Sequence, residues 1–299
     1  MDSPTVMMSA FHPEEYVIAS SIEEATSLLD RHADRARIIA GGTGIHELAH
    51  HGLLPDVNLL IDITELDLGQ VEFGQDDIRI GATTTFTDLL DAAASEPSPE
   101  LAVLVDALRA IRPMQVRNVA TVGGSLCSSL PFFDLPPALL ALGAEVLVAG
   151  SADTRLVPIE DFFLDYFAPD VRPNEIVTEI VVPRPGAGRS GAFRKLETNS
   201  VDWALASVAV CLGRDDGRLK DVRVALGGAV GRKVVRARTV EQALEGETAS
   251  EERLRRAAEL VSRDVSPHGD FRASAEYRLE ICKVYIRRCI ETALARAGG

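Results

Sequence analysis

The sequence predicts an α+β protein of two domains, and three observations lead there. Apolar strands alternate with helical periodicity in residues 1–64, short paired strands bracket a helical middle, and the last third reads as strands followed by helices. A chain of 299 residues also has the length for two domains, at roughly 150 residues each.

Residues 11–18 read as extended chain. Ser21 then opens a helix and Glu24, three residues on, completes a capping box. Ile22, Ala25, Leu28 and Leu29 form its apolar stripe. Arg37-Ile38-Ile39-Ala40 reads as a short buried strand running into Gly41-Gly42-Thr43-Gly44, and a second helix follows, ending near Gly52 with Pro55 beyond. An apolar strand at 58–63 completes a β-α-β-α-β rhythm, which predicts a small parallel unit.

The middle changes character. Val71-Glu72-Phe73 and Ile78-Arg79-Ile80 alternate as paired strands around Gly74 and Asp76-Asp77. Thr87 is expected to cap a helix from Asp88, and a further helix to cover 99–110. Gly123-Gly124 is expected to turn the chain before a helix at 136–142 and a strand at 145–148. Residues 172–192 hold three prolines and three glycines, so the domain boundary is expected near Pro185. That divides the chain into 1–184, itself of two lobes (about 1–64 and 65–184), and 185–299. In the second domain, 204–212 and 221–226 read as antiparallel strands, followed by helices at 239–244, at 250–262 and from Ser274 onward.

Composition removes several classes of function. With 45 acidic against 31 basic residues the net charge is −14, which argues against nucleic-acid binding and adhesion to anionic membranes. Aromatics at 5% leave no base-stacking platform. The most apolar run, 135–150, is broken by Pro136, Pro137, Gly143 and Glu145, so membrane insertion is not expected. No Lys or Arg precedes Arg31, unlike the positive start of a signal peptide. Cys127, Cys211, Cys282 and Cys289 lack CxxC spacing. They read as buried reduced thiols of a cytoplasmic protein, and they cannot build the usual spaced iron–sulfur cluster.

Two glycine loops carry the functional signal, and both read as following apolar strands. In Ile38-Ile39-Ala40-Gly41-Gly42-Thr43-Gly44-Ile45, glycines let successive amides face one point, where a helix start adds positive potential. That suits a pyrophosphate, although neither a P-loop nor a full GxGxxG is present, since Glu47 takes the third glycine's place. The second loop, Asn118-Val119-Ala120-Thr121-Val122-Gly123-Gly124-Ser125, continues to Asp134 and is rich in small and hydroxyl residues. It could offer amide and hydroxyl donors, with Asp134 accepting from a ribose hydroxyl. His46-Glu47-Leu48-Ala49-His50 spells the HExxH of zinc hydrolases, so zinc chemistry stands as a rival; the extended form fails because Leu53 occupies its glycine position.

The first loop resembles the AGGT-type loop of the FAD-binding medium subunits of molybdenum hydroxylases, the xanthine dehydrogenase and carbon monoxide dehydrogenase group. Arg117 to Asp134 resembles their R-N-x-A-T-I/V-G-G-N/S segment with its downstream Asp. Similar segments follow in order: Pro136 to Ala144, Glu175 to Ile180 with Pro183, Phe193-Arg194-Lys195 with Asp202-Trp203-Ala204, Leu226-Gly227-Gly228, and Ala275-Glu276-Tyr277-Arg278. The likeness spans nearly the whole chain. The sequence departs from the family's pattern at Gly44, His46, Ser125, Phe133 and Asn199.

The resemblance implies a two-lobed FAD-binding domain of the PCMH/vanillyl-alcohol-oxidase-like type, followed by a small C-terminal α+β domain. It implies FAD contacts at Ile38 to Ile45 (Ile39, Ala40, Gly41, Gly42, Thr43 and Gly44 included), at Thr121, Val122, Gly123, Gly124 and Ser125, and at Asp134. Ile111, Val177 and Lys195 stand at further cofactor positions, and Lys195 could support negative charge on a reduced flavin. No substrate catalysis and no metal site are expected in this chain. The molybdenum cofactor is expected in a large partner subunit and 2Fe-2S clusters in a small one, with electrons leaving the flavin for an external acceptor. A flavin-free scaffold is the alternative within the same fold.

Overall fold

The computed structural model describes residues 11–184 and 188–297. Three parallel strands open the chain: β1 (Glu15–Ile18), β2 (Ala36–Ile39) and β3 (Leu59–Asp62), in the order β1-β3-β2. Helices α1 (Ile22–His32) and α2 (Thr43–His50) connect them. Ser21 caps α1 by accepting from the Glu24 amide, while the Glu24 carboxylate reaches back to the Ser20 amide, one residue before the capping-box position. The central strand β3 is buried throughout, so it reads as an unbroken apolar run apart from Asp62.

The middle region forms a five-stranded antiparallel sheet in the order β4-β5-β10-β6-β7: β4 (Val71–Phe73), β5 (Asp77–Gly81), β6 (Glu145–Ala149), β7 (Thr154–Pro158) and β10 (Ile176–Pro183). A short hairpin, β8 (Phe163–Asp165) with β9 (Ala168–Pro169), and a helical turn, α8 (Ile159–Phe162), precede β10. Between β5 and β6 lie α3 (Phe86–Ser95), α4 (Ala102–Ala110), α5 (Met114–Arg117), α6 (Val122–Cys127) and α7 (Leu135–Leu142). All eight residues of α7 are buried, as expected for a helix apolar all round. Thr85 caps α3; Thr87, expected in that role, lies inside the helix and donates its hydroxyl to Asn118.

The last third is a four-stranded antiparallel sheet, β11 (Arg189–Leu196), β12 (Ala206–Asp215), β13 (Arg218–Gly228) and β14 (Val235–Arg236), with α9 (Arg238–Leu244), α10 (Glu251–Glu259) and α11 (Ala275–Ala297). Alternation along the strands divides the side chains between two cores. Ala192, Val208, Val210 and Leu212 pack with α9, α10 and α11. Phe193, Ala209 and Cys211 join the core around α4 and α7. The boundary residue Pro185 lies outside the described residues; β10 ends at Pro183 and β11 begins at Arg189. The first lobe and the middle region also share apolar contacts, because Ala149 and Ile176 pack with Leu59 and Ile61. This packing holds the two glycine loops against each other.

Candidate functional site

The chain leaves β2 after Ile39 and turns at Gly42, whose φ of +74° suits glycine. Gly42 occupies the N-cap of α2 and has no side chain to satisfy the first helical turn. Among the described residues, the amides of Gly42, Thr43, Gly44 and Ile45 have no protein acceptor, and His46 is the first to bond within the turn, to Gly42 at 2.9 Å. Four unpaired donors at a helix's positive end form an anion cradle. The cradle is wedged against loop two. A Cβ on Gly41 would lie 1.6 Å from the Val119 carbonyl oxygen, and one on Gly44 would lie 2.5 Å from the Ser128 hydroxyl.

Loop two behaves differently from the expectation. Gly123 and Gly124 lie inside α6, not in a turn, and their amides are already used. Val122 donates to Thr84 at 3.0 Å, Gly123 to Ala82 at 2.9 Å, Gly124 to the Thr121 hydroxyl at 3.2 Å, and Ser125 to the Thr121 carbonyl at 2.9 Å. The donors expected from this loop are therefore spent, two on the chain just after β5 and two on Thr121 at the start of α6. Gly123 is needed for that packing, since a Cβ there would meet Ala82 at 2.7 Å. What remains for a ligand is a wall of bare backbone and hydroxyls. The Ser125 Oγ is buried with no hydrogen-bond partner.

Two cavities open on either side of this junction. The first, of 390 Å³, lies between the lobes and is lined by loop one and by Ala82, Ser128, Arg172, Glu175 and Val177, among others. Cys127 faces it, contrary to the expectation that all four thiols are buried; the four are free. The second, of 380 Å³, is more aromatic, with Phe86, Phe132, Phe133 and Trp203 in its walls. Phe132 and Trp203 stack with centroids 5.3 Å apart. Thr43 and Gly124 line both cavities, so the amide cradle sits where they meet. Each is within the size range of ligand sites.

Asp134 and Lys195 meet in the second cavity with Nζ and Oδ2 2.8 Å apart, each 8% exposed. Asp134 is the N-cap of α7, where a carboxylate ordinarily accepts from amides two and three residues on. Those residues are Pro136 and Pro137, which have no N–H. The carboxylate is thereby released to the cavity, and its Oδ1 has no partner. Burial pushes the Asp134 carboxyl up to about 6 against the pull of Lys195, and the charge of Glu197 adds to the rise. Burial pulls Lys195 down, but Asp134 and Glu197 outweigh it and hold the ammonium above its ordinary value.

Of the residues expected in the site, all but Ile39 and Val122 line one cavity or the other. Ile38, Ala40, Gly41, Gly42, Gly44, Ile45, Thr121, Gly123 and Val177 are in the first, Ile111, Ser125, Asp134 and Lys195 in the second, and Thr43 and Gly124 in both. Ile39 packs instead with Leu54, Val57 and Leu60, and Val122 is fully buried. Asp134 shares the second cavity with Lys195, its ion-pair partner. Arg117 donates to the carbonyls of Ile111 and Arg112 and so fixes the segment that carries Ile111. The sequence reading missed Glu197, 2.8 Å from Lys195. Its signal was the strand period, which puts 195 and 197 on one face. In the HExxH segment, His46 and Glu47 line the second cavity, while Glu47 pairs with His51 at 2.8 Å. Among the described residues, no group of three or more potential ligands gathers for a metal.

Two family models match the chain. The FAD binding domain in molybdopterin dehydrogenase matches residues 9–185, and the CO dehydrogenase flavoprotein C-terminal domain matches 191–293. The chain is 34% identical to the glyceraldehyde dehydrogenase medium chain of Sulfolobus acidocaldarius, over 92% of this chain and 96% of that one. It is also 34% identical to the nicotine 6-hydroxylase medium subunit of Paenarthrobacter nicotinovorans, over 94% and 97%. Among solved structures, carbon monoxide dehydrogenase from Hydrogenophaga pseudoflava superposes with a TM-score of 0.89 at 30% identity, covering 95% of this chain and 98% of that one. Quinoline 2-oxidoreductase from Pseudomonas putida 86 follows at 0.85 and 28%, covering 95% and 97%. The two-lobed fold with its small C-terminal domain is thus the fold of these flavoproteins, and the chain belongs to the family of FAD-binding medium subunits of the molybdenum hydroxylases, a family of oxidoreductases.

Proposed function

We propose that this chain is the FAD-carrying electron-transfer subunit of a heteromeric molybdenum hydroxylase. It takes electrons from a small iron–sulfur subunit and passes them to an external acceptor, while a large molybdenum-binding subunit transforms the substrate. The observation that carries this reading is the amide cradle at the junction of two cavities. A dinucleotide needs its anionic pyrophosphate held centrally and its two ring systems housed on either side. The residues fit FAD. Besides the amides of Gly42 to Ile45, two buried polar atoms without partners, Ser125 Oγ and Asp134 Oδ1, belong to the walls of the second cavity.

In this arrangement the first cavity takes the adenosine half, against Ile38 and Val177. The more aromatic second cavity takes the isoalloxazine end. Bound FAD supplies the exchange between one- and two-electron carriers that the side chains lack. Thr43, Gly44 and Ile45 would neutralise phosphate charge, Phe132, Phe133 and Ile111 would exclude water, and Lys195 would set positive charge beside the ring. We take 1–184 as the flavin-binding domain and 185–299 as a second domain, which lends Lys195 to the second cavity. A cytoplasmic location belongs to the same proposal and is supported by the free cysteines. Among the described residues no helix is long and apolar enough to cross a membrane.

The relatives are named as medium chains or subunits, which supports unlike partners. Affinity isolation of the tagged chain from its own cells is expected to bring down two unlike chains, one rich in iron and sulfide and one containing molybdenum. A chain that is isolated alone and oxidises substrate unaided would contradict the proposal.

A further inference from the structure

Lys195 lies between two carboxylates. Its Nζ is 2.8 Å from Asp134 Oδ2 and 2.8 Å from Glu197 Oε2, and Glu197 in turn meets Arg112 at 3.3 Å. Exposure rises along this row, from 8% at Asp134 and Lys195 to 13% at Glu197 and 63% at Arg112. The three inner groups carry two formal negative charges against one positive, in a wall largely withdrawn from water. Such a row satisfies only one carboxylate fully. Asp134 Oδ1 and Glu197 Oε2 are both buried without a hydrogen-bond partner, but Glu197 has Arg112 as a second cation and Asp134 has no other cation. The uncompensated negative charge therefore falls on Asp134, which favours its protonated form.

We infer that Glu197 is a positioning residue: by holding Lys195 from the far side, it governs whether Asp134 faces the candidate flavin cavity as a proton donor or as an acceptor. The inference rests on the proposed FAD reading for its purpose, but not for its chemistry. The other charged or titratable groups in the cavity wall are His46 and Glu47 on α2, Arg112 before α5, and Asp202 in the connection from β11 to β12. None of these acidic groups shares a cation with Asp134 among the described residues, whereas Glu197, just outside the wall, does. Removing its charge frees Lys195 to compensate Asp134, so Asp134 should ionise at lower pH. Removing the charge of Lys195 should do the opposite. The direct repulsion between the carboxylates acts in the same sense.

The test uses the full chain and two readouts. Carboxyl-carbon NMR of the FAD-free protein follows Asp134 against pH, and flavin fluorescence follows FAD affinity over the same range. In the unsubstituted chain the Asp134 transition is expected near pH 6, with FAD affinity falling below it as the accepting carboxylate is protonated. Glu197→Gln should lower both midpoints by about one pH unit, while Lys195→Met should raise the NMR midpoint. A purely structural role for Glu197 would lower affinity at every pH without moving the midpoint. An unmoved or raised midpoint in Glu197→Gln overturns the inference. Failure of the parent chain to bind FAD would overturn the FAD reading alone, because the NMR titration still reads the coupling.

Discussion

Replacing Gly41 with alanine should separate the two loops and release the cofactor. The added Cβ would sit 1.6 Å from the Val119 carbonyl oxygen, where 3.4 Å marks the start of ordinary contact. The Val119 obstacle is backbone, part of the turn in which Ala120 donates to Val116 and Asn118 to Met114, so it cannot swing aside as a side chain would. Loop one must therefore retreat by about 2 Å, more than the tolerance of a hydrogen bond. Losing one to two charge-assisted contacts from the Gly42 to Ile45 amides costs about 3 kcal/mol, or about a hundredfold in affinity. The fitting control is Gly69→Ala, whose Cβ would meet only the Thr83 hydroxyl at 3.5 Å. Fluorescence titration with FAD, paired with thermal unfolding without it, separates lost binding from lost folding. If Gly41→Ala binds FAD as tightly as the parent chain, the close apposition of the two loops does not form the site.

Ser125→Ala removes a buried hydroxyl that has no protein partner. It should leave the unfolding midpoint of the FAD-free chain unchanged and weaken FAD binding by about fivefold, about 1 kcal/mol; equal affinities would remove the residue from the site. The raised pKa of Asp134 has a definite sign. Its stabilising contribution is fully present below its ordinary value of 3.8 and is lost as pH rises through about 6. Urea unfolding of Asp134→Asn at pH 7 should accordingly show a gain on the order of 2 kcal/mol, shrinking towards pH 4, and a constant difference across that range would refute the assignment. Arg155 bonds both oxygens of the buried Glu175 at 2.9 and 2.8 Å and also Asp170, bracing the segment that lines the first cavity. Glu175→Gln should cost about 2 kcal/mol in the same assay, and a change within error would show that the network carries no stability.

Most elements were legible because their signals are local. The Ser21 cap, the alternation in Val71 to Phe73 and the apolar run at 59–62 each depend on a few neighbouring residues. The errors came where distant chain decides. Gly123-Gly124 reads as a turn in isolation, but Thr84 accepts from the Val122 amide, Ala82 accepts from the Gly123 amide, and a tight fit to Ala82 demands glycine, so the segment closes into α6. Thr87 and Thr85 are equally good caps by type, and the Phe86 amide bonding to Ala120 settles the choice. The candidate site was legible as two loops and a lysine. The partnership of Asp134, Lys195 and Glu197 was not, because it joins residues 61 apart in sequence across a strand and a helix start. The release of Asp134 by Pro136 and Pro137 was visible in the sequence once its place at the N-cap is known.

The most direct measurement is the visible absorption spectrum of the purified chain, followed by acid or heat release and identification of the chromophore. A yellow protein with flavin bands that releases about one FAD per chain is the expected result, with the bound flavin's bands shifted by the Phe132 and Trp203 environment. A colourless protein that takes up no FAD when titrated with it would contradict the central claim, whatever its fold.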